Sequence, residues 1–397
     1  MKNKICPKCN KTININIKTC PYCGNDFRIA PINYKNSVIE DEMLTGFFDK
    51  KVNEIIISED LNIKNICNSI FKNCSSLKTI NIPKSVTYIG FQSFYNCKSL
   101  NHIDIPDSVT SIGDKAFYGC KSLKSITIPD SVTSIGDKAF YGCKSLKSVI
   151  ISKNVVSIGK DAFKGCPIEN ATIPTSLIKS IKNKNIKNLI ITSGEIIEDK
   201  ALYKCSLLNS ITLPDSIRSI GYQAFYESPV RYAKIPAFAS TCIRNTNLKE
   251  VVITSGNKIG NNAFGCYECR NLTSITIPDS VTSIGDGAFT GCNSLKNISI
   301  PKYITSIGQQ AFCNCSSLTS ITIPDNVTSI GDSAFSGCSS LTSITIPDSV
   351  TSIGNNAFSR CSSLTSIIIP DSVTSIGNRA FSGCSSLTPI IIPDSVT

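Results

Sequence analysis

The chain has 397 residues, of which 41% are hydrophobic, 7% aromatic and 17% charged, with no Trp, one His, 20 Cys and a formal net charge of +11. That length could hold several ordinary domains, and no run approaches the 18 apolar residues of a membrane-spanning helix. A single His excludes a pair of imidazole ligands or bases, and no Gly-rich phosphate loop occurs. The charge is uneven: residues 61–270 carry 27 Lys/Arg against 14 Asp/Glu, a net of +13, whereas residues 271–397 carry 4 against 7, a net of −3. A basic stretch attracts nucleic acid or acidic surfaces; the plainer reading is lysine on solvated turns.

The N-terminus, MKNKICPKCNK, has no apolar core of a secretory signal. Cys6-Pro-Lys-Cys9 and Cys20-Pro-Tyr-Cys23 form two C-x2-C knuckles ten residues apart. Four thiolates fill a tetrahedral shell and leave no open position for catalysis. The pattern resembles a zinc ribbon over 1–27. It implies one structural Zn per chain, held by Cys6, Cys9, Cys20 and Cys23; a rubredoxin-like iron site is the alternative. So few residues cannot bury a core, so the metal would fold the module. The intervening NKTININIKT alternates Ile with polar residues and could form a short hairpin.

Residues 28–51 read as linker and N-terminal cap. The polar stretch from Arg28 to Asn36 is the linker. Ser37 with Glu40 resembles a capping box, and Ile39, Met43 and Phe47 at i, i+4, i+8 predict a short amphipathic helix. That helix would cover the open hydrophobic end of the first coil of the repeat region.

Residues 52–397 form that repeat region. Phe71, Phe94, Phe117, Phe140 and Phe163 stand 23 residues apart, as do Phe289, Phe312, Phe335, Phe358 and Phe381. A fixed period of this size marks a solenoid. In one unit, Leu123, Ile126 and Ile128 place two Ile on the inner face of a short strand and Thr127 outside. Pro129 ends the strand, Val132 and Ile135 form a second extended piece, and Gly136 turns the chain. Asp137 is expected to N-cap a single helical turn bearing Ala139 and Phe140, which Gly142 ends in a left-handed conformation. The Ile128 column recurs from Ile57 to Ile392 in sixteen strands, an arc roughly 75 Å long at ~4.8 Å per strand.

Units such as Ser340 to Cys361 resemble the leucine-rich repeats of the BspA-like, or Treponema pallidum-type, family. The resemblance implies an α/β, β-rich curved solenoid of stacked parallel strands, used for adhesion or protein binding, with no catalytic residues. It also suggests the cell surface, whereas the thiolate ribbon and the lack of a signal suggest the cytoplasm.

The repeats are interrupted. Column spacing falls to 18 between Ile173 and Ile191, and between Ile235 and Ile253; both short coils lose the Ala-Phe turn. Between Phe264 and Phe289 it grows to 25, and this insert creates Cys266-x-x-Cys269, whose second Cys fills the ordinary column and should point inward. The remaining column cysteines, from Cys74 to Cys384, read as buried free thiols. His102 stands beside a strand, facing solvent. The outward column (Thr127, Ile150, Thr212, Lys234, Val252, Thr276) is small or β-branched and suits an extended or repetitive protein partner. A unique site would lie in the irregular middle, at Arg231, Lys234, Arg244 and Lys249. The alternative is nucleic-acid or regulatory binding through the ribbon and basic coils. At the end, Pro389 blunts the last strand, but the Ile columns near Ile390 to Val396 stay open and invite end-to-end self-association.

Overall fold

The computed structural model describes residues 3–5, 12–14, 29–32, 37–47, 50–181, 185–243, 247–265 and 269–397. The chain forms two compact units, Met1–Ile186 and Lys187–Thr397.

In the first unit each coil contributes two strands to two parallel ladders. Ser125–Ile128 pairs in register with Ser148–Ile151, which pairs with Asn170–Ile173. The shorter Ser111–Ile112, Ser134–Ile135 and Ser157–Ile158 form the second ladder. Burial alternates as the period-2 pattern requires: Ile126 and Ile128 are buried and Thr127 is exposed. No strand is assigned over 101–105, although Ile103 and Ile105 remain buried. Phe71, Phe94, Phe117, Phe140 and Phe163 stack with ring centroids 5.0–5.1 Å apart. That spacing is the coil-to-coil repeat, so each ring is covered by its own copies.

The expected helical turn at Asp137 is absent. Residues 137–142 form successive turns, with Lys138 at φ 53° and Gly142 at φ 70°. Their N–H groups alternate in direction. Those of Lys138, Phe140 and Gly142 donate to Lys160, Ala162 and Lys164 carbonyls of the next coil, at 2.8–3.0 Å, while Ala139 and Tyr141 close turns within the coil. A helix would spend every donor internally; here half of them bind neighbouring coils. Asp137 still caps, but between coils: its Oδ1 accepts the Lys160 N–H at 2.7 Å, and its own N–H donates to Asp114 Oδ1 at 2.8 Å. Gly136 is required by proximity, since a Cβ there would lie 2.4 Å from the Asp114 nitrogen.

The predicted cap helix over 37–47 is a β-hairpin. Ser37–Glu40 and Met43–Phe47 pair antiparallel through Asp41 and Glu42, both at positive φ. Met43–Phe47 then pairs in parallel with Asn65–Ile66. A strand satisfies that ladder's edge groups, which a helix would leave unpaired. The capping role stands: Leu44 and Phe47 are buried, and the Phe47 ring meets Phe71 edge-on at 5.4 Å. The stretch read as linker also contributes structure, because Ile29–Ile32 pairs in parallel with Glu54–Ile57. Asn3–Ile5 and Thr12–Asn14 form an antiparallel pair. Cys6, Cys9, Cys20 and Cys23 lie outside the described residues, as do Cys266 and Arg244.

The second unit repeats the design. Its strands Asn188–Ile191, Ser210–Thr212, Tyr232–Ile235, Glu250–Ile253 and Ser274–Thr276 pair in parallel. Asn297–Ser299, Ser320–Thr322, Ser343–Thr345 and Ser366–Ile368 form a further sheet. Phe264 to Phe381 stack at 5.3–5.5 Å. Here again the expectation about helices inverts. The short coil before Glu250–Ile253 carries a 3-10 helix, Ala237–Thr241, while the regular coils carry turns. In the first unit the short coil likewise contains Thr175–Leu177 and the α-helical turn Ile178–Ile181. In the last coil Ile391 and Ile392 are exposed and no strand is assigned.

Candidate functional site

The irregular coils of the second unit carry the residues expected to form a unique site. The tetrapeptide Tyr232-Ala-Lys-Ile235 alternates, so Ala233 and Ile235 are buried and Tyr232 and Lys234 face out. Next to it Glu250 and Val252 face out and Val251 and Ile253 are buried. The parallel register sets Tyr232 beside Glu250, and Lys234 between Thr212 and Val252. Tyr232 is 41% exposed and Val252 40%, so both ring and branched side chain are available to a partner.

Arg231 and Lys249 stand one coil apart just before these strands. The Lys249 N–H donates to the Arg231 carbonyl at 2.9 Å, so the two are fixed neighbours, and both are exposed. Three of the four predicted residues, Arg231, Lys234 and Lys249, thus share one outward patch. Sequence reasoning missed Tyr232, although the same alternation that places Lys234 outside also places it there.

It also missed Asp215. Its Oδ1 accepts hydrogen bonds from Thr254 Oγ1 at 2.5 Å and Ser255 Oγ at 2.6 Å. These hydroxyls hold the carboxyl below the usual carboxylate range, with Lys234 and Arg218 adding to the effect. The intervening short coil lacks the Pro-Asp turn of the regular units, which lets Asp215 reach across it. No spacing rule announces a contact 39 residues away.

Elsewhere in this unit a groove of about 700 Å³ is lined by Asn297, Ser299, Lys302, Thr322, Asp325 and Asn326. Lys302 pairs with Asp279 at 3.5 Å and lies over the Tyr303 ring at 4.9 Å. Among the described residues no group of three or more His, Cys, Asp or Glu is placed to hold a metal. His102 is exposed, with Nε2 3.2 Å from Asp104 Oδ1.

The column cysteines are buried free thiols from Cys74 to Cys361, including Cys269, while Cys313 and Cys384 are half-buried. Each thiol donates to a carbonyl 26 residues back where the period is regular, as Cys143 Sγ does to Phe117 at 3.2 Å. Burial pushes the Cys120 thiol far above the ordinary thiol range and that of Cys361 up to about 12. These sulfurs are packing groups, held away from redox chemistry.

The period and strand pattern have counterparts in known proteins. A family model described as BspA type leucine rich repeat region matches residues 64–189, 179–295 and 257–388. A leucine-rich repeat protein from Bacteroides ovatus is 30% identical, over 92% of this chain and 87% of that one, with a TM-score of 0.40. A leucine-rich cell surface protein from Faecalibacterium prausnitzii is 28% identical, over 89% and 92%, with a TM-score of 0.34. The leucine-rich repeat protein of T. pallidum is 22% identical, over 67% and 90%, with a TM-score of 0.33. No curated protein matches the chain. With the family model spanning most of the residues that build the stacked coils, the chain belongs to the BspA-type leucine-rich repeat family.

Proposed function

We propose that the chain is a non-enzymatic protein-binding scaffold whose recognition patch is the outward face around Tyr232–Ile235 and Glu250–Ile253. The observation that carries this reading is the exposure of Tyr232 and Val252 beside Lys234 on paired, rigid strands. An aromatic anchor with adjacent cations on a preorganised surface is the usual composition of a binding hot spot. Arg231 and Lys249 flank it, and Arg244 falls between the two strands in sequence. The patch is a face of paired parallel strands, a surface that suits an extended macromolecular partner. The nucleic-acid alternative rests on the excess of Lys and Arg over residues 61–270, but at this patch Glu250 and Asp215 work against a phosphate backbone. The test is affinity capture with the full chain, comparing the native protein with Lys234→Glu and Tyr232→Ala. Loss of the same captured protein in both variants supports the patch; retention in both removes it.

The N-terminal cysteines are proposed to hold one structural Zn. Support comes from the donor set, four thiols in two C-x2-C pairs, and from the antiparallel pair Asn3–Ile5 and Thr12–Asn14, which flanks Cys6 and Cys9 in the chain. Bound there, the ion would cross-link the module. A reducing compartment such as the cytoplasm accords with the free thiols of the column; the cell surface is the alternative that the family resemblance suggests. No described helix is long and apolar enough to cross a membrane.

A further inference from the structure

The first unit carries a second feature, a run of lysines just before its strands and after its column cysteines. Three consecutive coils read KSLN, KSLK and KSLK after their column cysteine. The stacked register therefore sets Lys98, Lys121 and Lys144 in one column, and Lys78, Asn101, Lys124 and Lys147 in another directly before the strands. The Phe and Tyr stacks beside them repeat at 4.8–5.1 Å, so the lysines recur at about the same interval. Lys78, Lys98, Lys121, Lys124 and Lys144 are exposed, and none has an ion pair among the described residues. Lys147 alone is neutralised, by Glu169 of the next coil at 2.9 Å, and there the second column ends.

The second unit supplies an internal control. At the equivalents of Lys98, Lys121 and Lys144 its last four coils have Ser316, Ser339, Ser362 and Ser385, whereas earlier coils have Arg270 and Asn293. At the equivalents of Lys78 and Lys124 those coils have Thr319, Thr342, Thr365 and Thr388, while Arg231, Lys249 and Lys296 occupy the same column earlier in the unit. Those hydroxyls bond from coil to coil: Thr342 Oγ1 donates to the Thr319 carbonyl at 3.3 Å, Thr365 to Thr342 at 3.2 Å, and Ser362 Oγ to Ser339 at 3.4 Å. The fold is thus served by Ser and Thr at these positions. Lysine forfeits those bonds and brings like charges into adjacent positions, which is destabilising. The last four coils thus fold without these lysines, which leaves the column Lys98, Lys121 and Lys144 available for binding.

We infer that this lysine edge of the first unit binds an acidic, extended polypeptide segment running across the coils. This rests on the reading of the chain as a protein-binding scaffold and adds a second contact surface with its own partner chemistry. Several features favour a polypeptide over other polyanions. Tyr118 is stacked between Tyr95 and Tyr141, and Lys72 lies over the Tyr95 ring at 5.3 Å, so these rings offer little platform to nucleobases. The adjoining outward strand face presents Thr127 and the 45% exposed Ile150, a mixed surface that suits peptide side chains. Along the axis an extended peptide advances about 3.3 Å per residue, so a short run of acidic residues spans the three coils.

The test uses the full chain and poly-L-glutamate as probe, with oligothymidylate and polygalacturonate as separate arms. The variant is Lys98→Ser, Lys121→Ser and Lys144→Ser combined, which installs the residues the last four coils use. Lys124→Thr is a single change on the same logic. The native chain is expected to bind poly-L-glutamate in a salt-dependent manner, and the triple variant about tenfold more weakly. Unchanged thermal melting would show that the fold is kept. If the triple variant melts early, Lys124→Thr decides, with a smaller loss of the same sign. The inference is overturned if the native chain does not bind poly-L-glutamate, or if the variants bind as well as the native chain. A substitution effect confined to oligothymidylate or polygalacturonate also overturns it, assigning the edge to that polymer. Failure of the scaffold reading is separate: capture unaffected by Lys234→Glu and Tyr232→Ala would remove that patch while leaving poly-L-glutamate binding in place.

Discussion

Phe140→Ala probes the stack at its centre. The ring is fully buried between Phe117 and Phe163, with centroids 5.1 and 5.0 Å away and planes within 8° of parallel. Truncation removes the transfer free energy of the ring and leaves a cavity that rigid neighbouring coils cannot fill, a cost of about 3–5 kcal/mol. Two stacking contacts go with it, each worth about 0.5–1.5 kcal/mol beyond area and partly contained in that figure. In a stack held by nearest-neighbour contacts the loss is felt first by the adjoining coils. Thr127→Ala is the matched control: Thr127 is exposed on the same coil, and its change should cost less than about 0.5 kcal/mol. Urea melts followed by tyrosine fluorescence are suitable, because the chain lacks Trp and Tyr118 and Tyr141 sit beside the Phe stack. A Thr127→Ala cost equal to or above that of Phe140→Ala would refute the assignment of inner and outer faces.

Three further outcomes are expected. Elemental analysis of protein purified without chelator should give one Zn per chain, and Cys6→Ser should remove it without moving the solenoid's melting transition; no metal in the native protein would end the ribbon proposal. Native protein treated with a thiol reagent at neutral pH should react at the exposed Cys242 and leave Cys120 and Cys361 unmodified until denatured, as peptide mapping would show. Because burial raises these folded-state thiol pKa values, their contribution to stability is fully present below the unfolded value of about 8.5 and is lost as pH rises toward about 12, so melts at alkaline pH should show falling stability and a rising slope would contradict the burial.

Much of the fold was legible because the repeat is a one-dimensional crystal of contacts. Phe140 predicts Phe117 and Phe163 beside it, and the alternation Ile126-Thr127-Ile128 fixes both faces of a strand. The turns were not legible for a physical reason. Asp137, Ala139 and Phe140 satisfy a helix-start pattern, yet the N–H groups of this segment find partners at Lys160, Ala162 and Lys164, which no local rule can see. The hairpin over 37–47 was misread for a related reason. Ile39, Met43 and Phe47 fit a helical stripe, but the edge at Asn65–Ile66 needs a strand, and that need is tertiary. In the candidate site, Lys234 followed from alternation, whereas the bridge from Asp215 to Thr254 and Ser255 depends on the length of an entire coil.

The most direct measurement on the scaffold proposal is lysine labelling of the full chain, free and in complex with its captured protein. Acylation rates are read residue by residue by mass spectrometry. Lys234 and Lys249 should be slowed at least severalfold in the complex, while Lys258, exposed on the other ladder of the same unit, should label at the free rate. Equal labelling of Lys234 and Lys249 with and without the partner would contradict binding through the outward face of Tyr232–Ile235 and Glu250–Ile253.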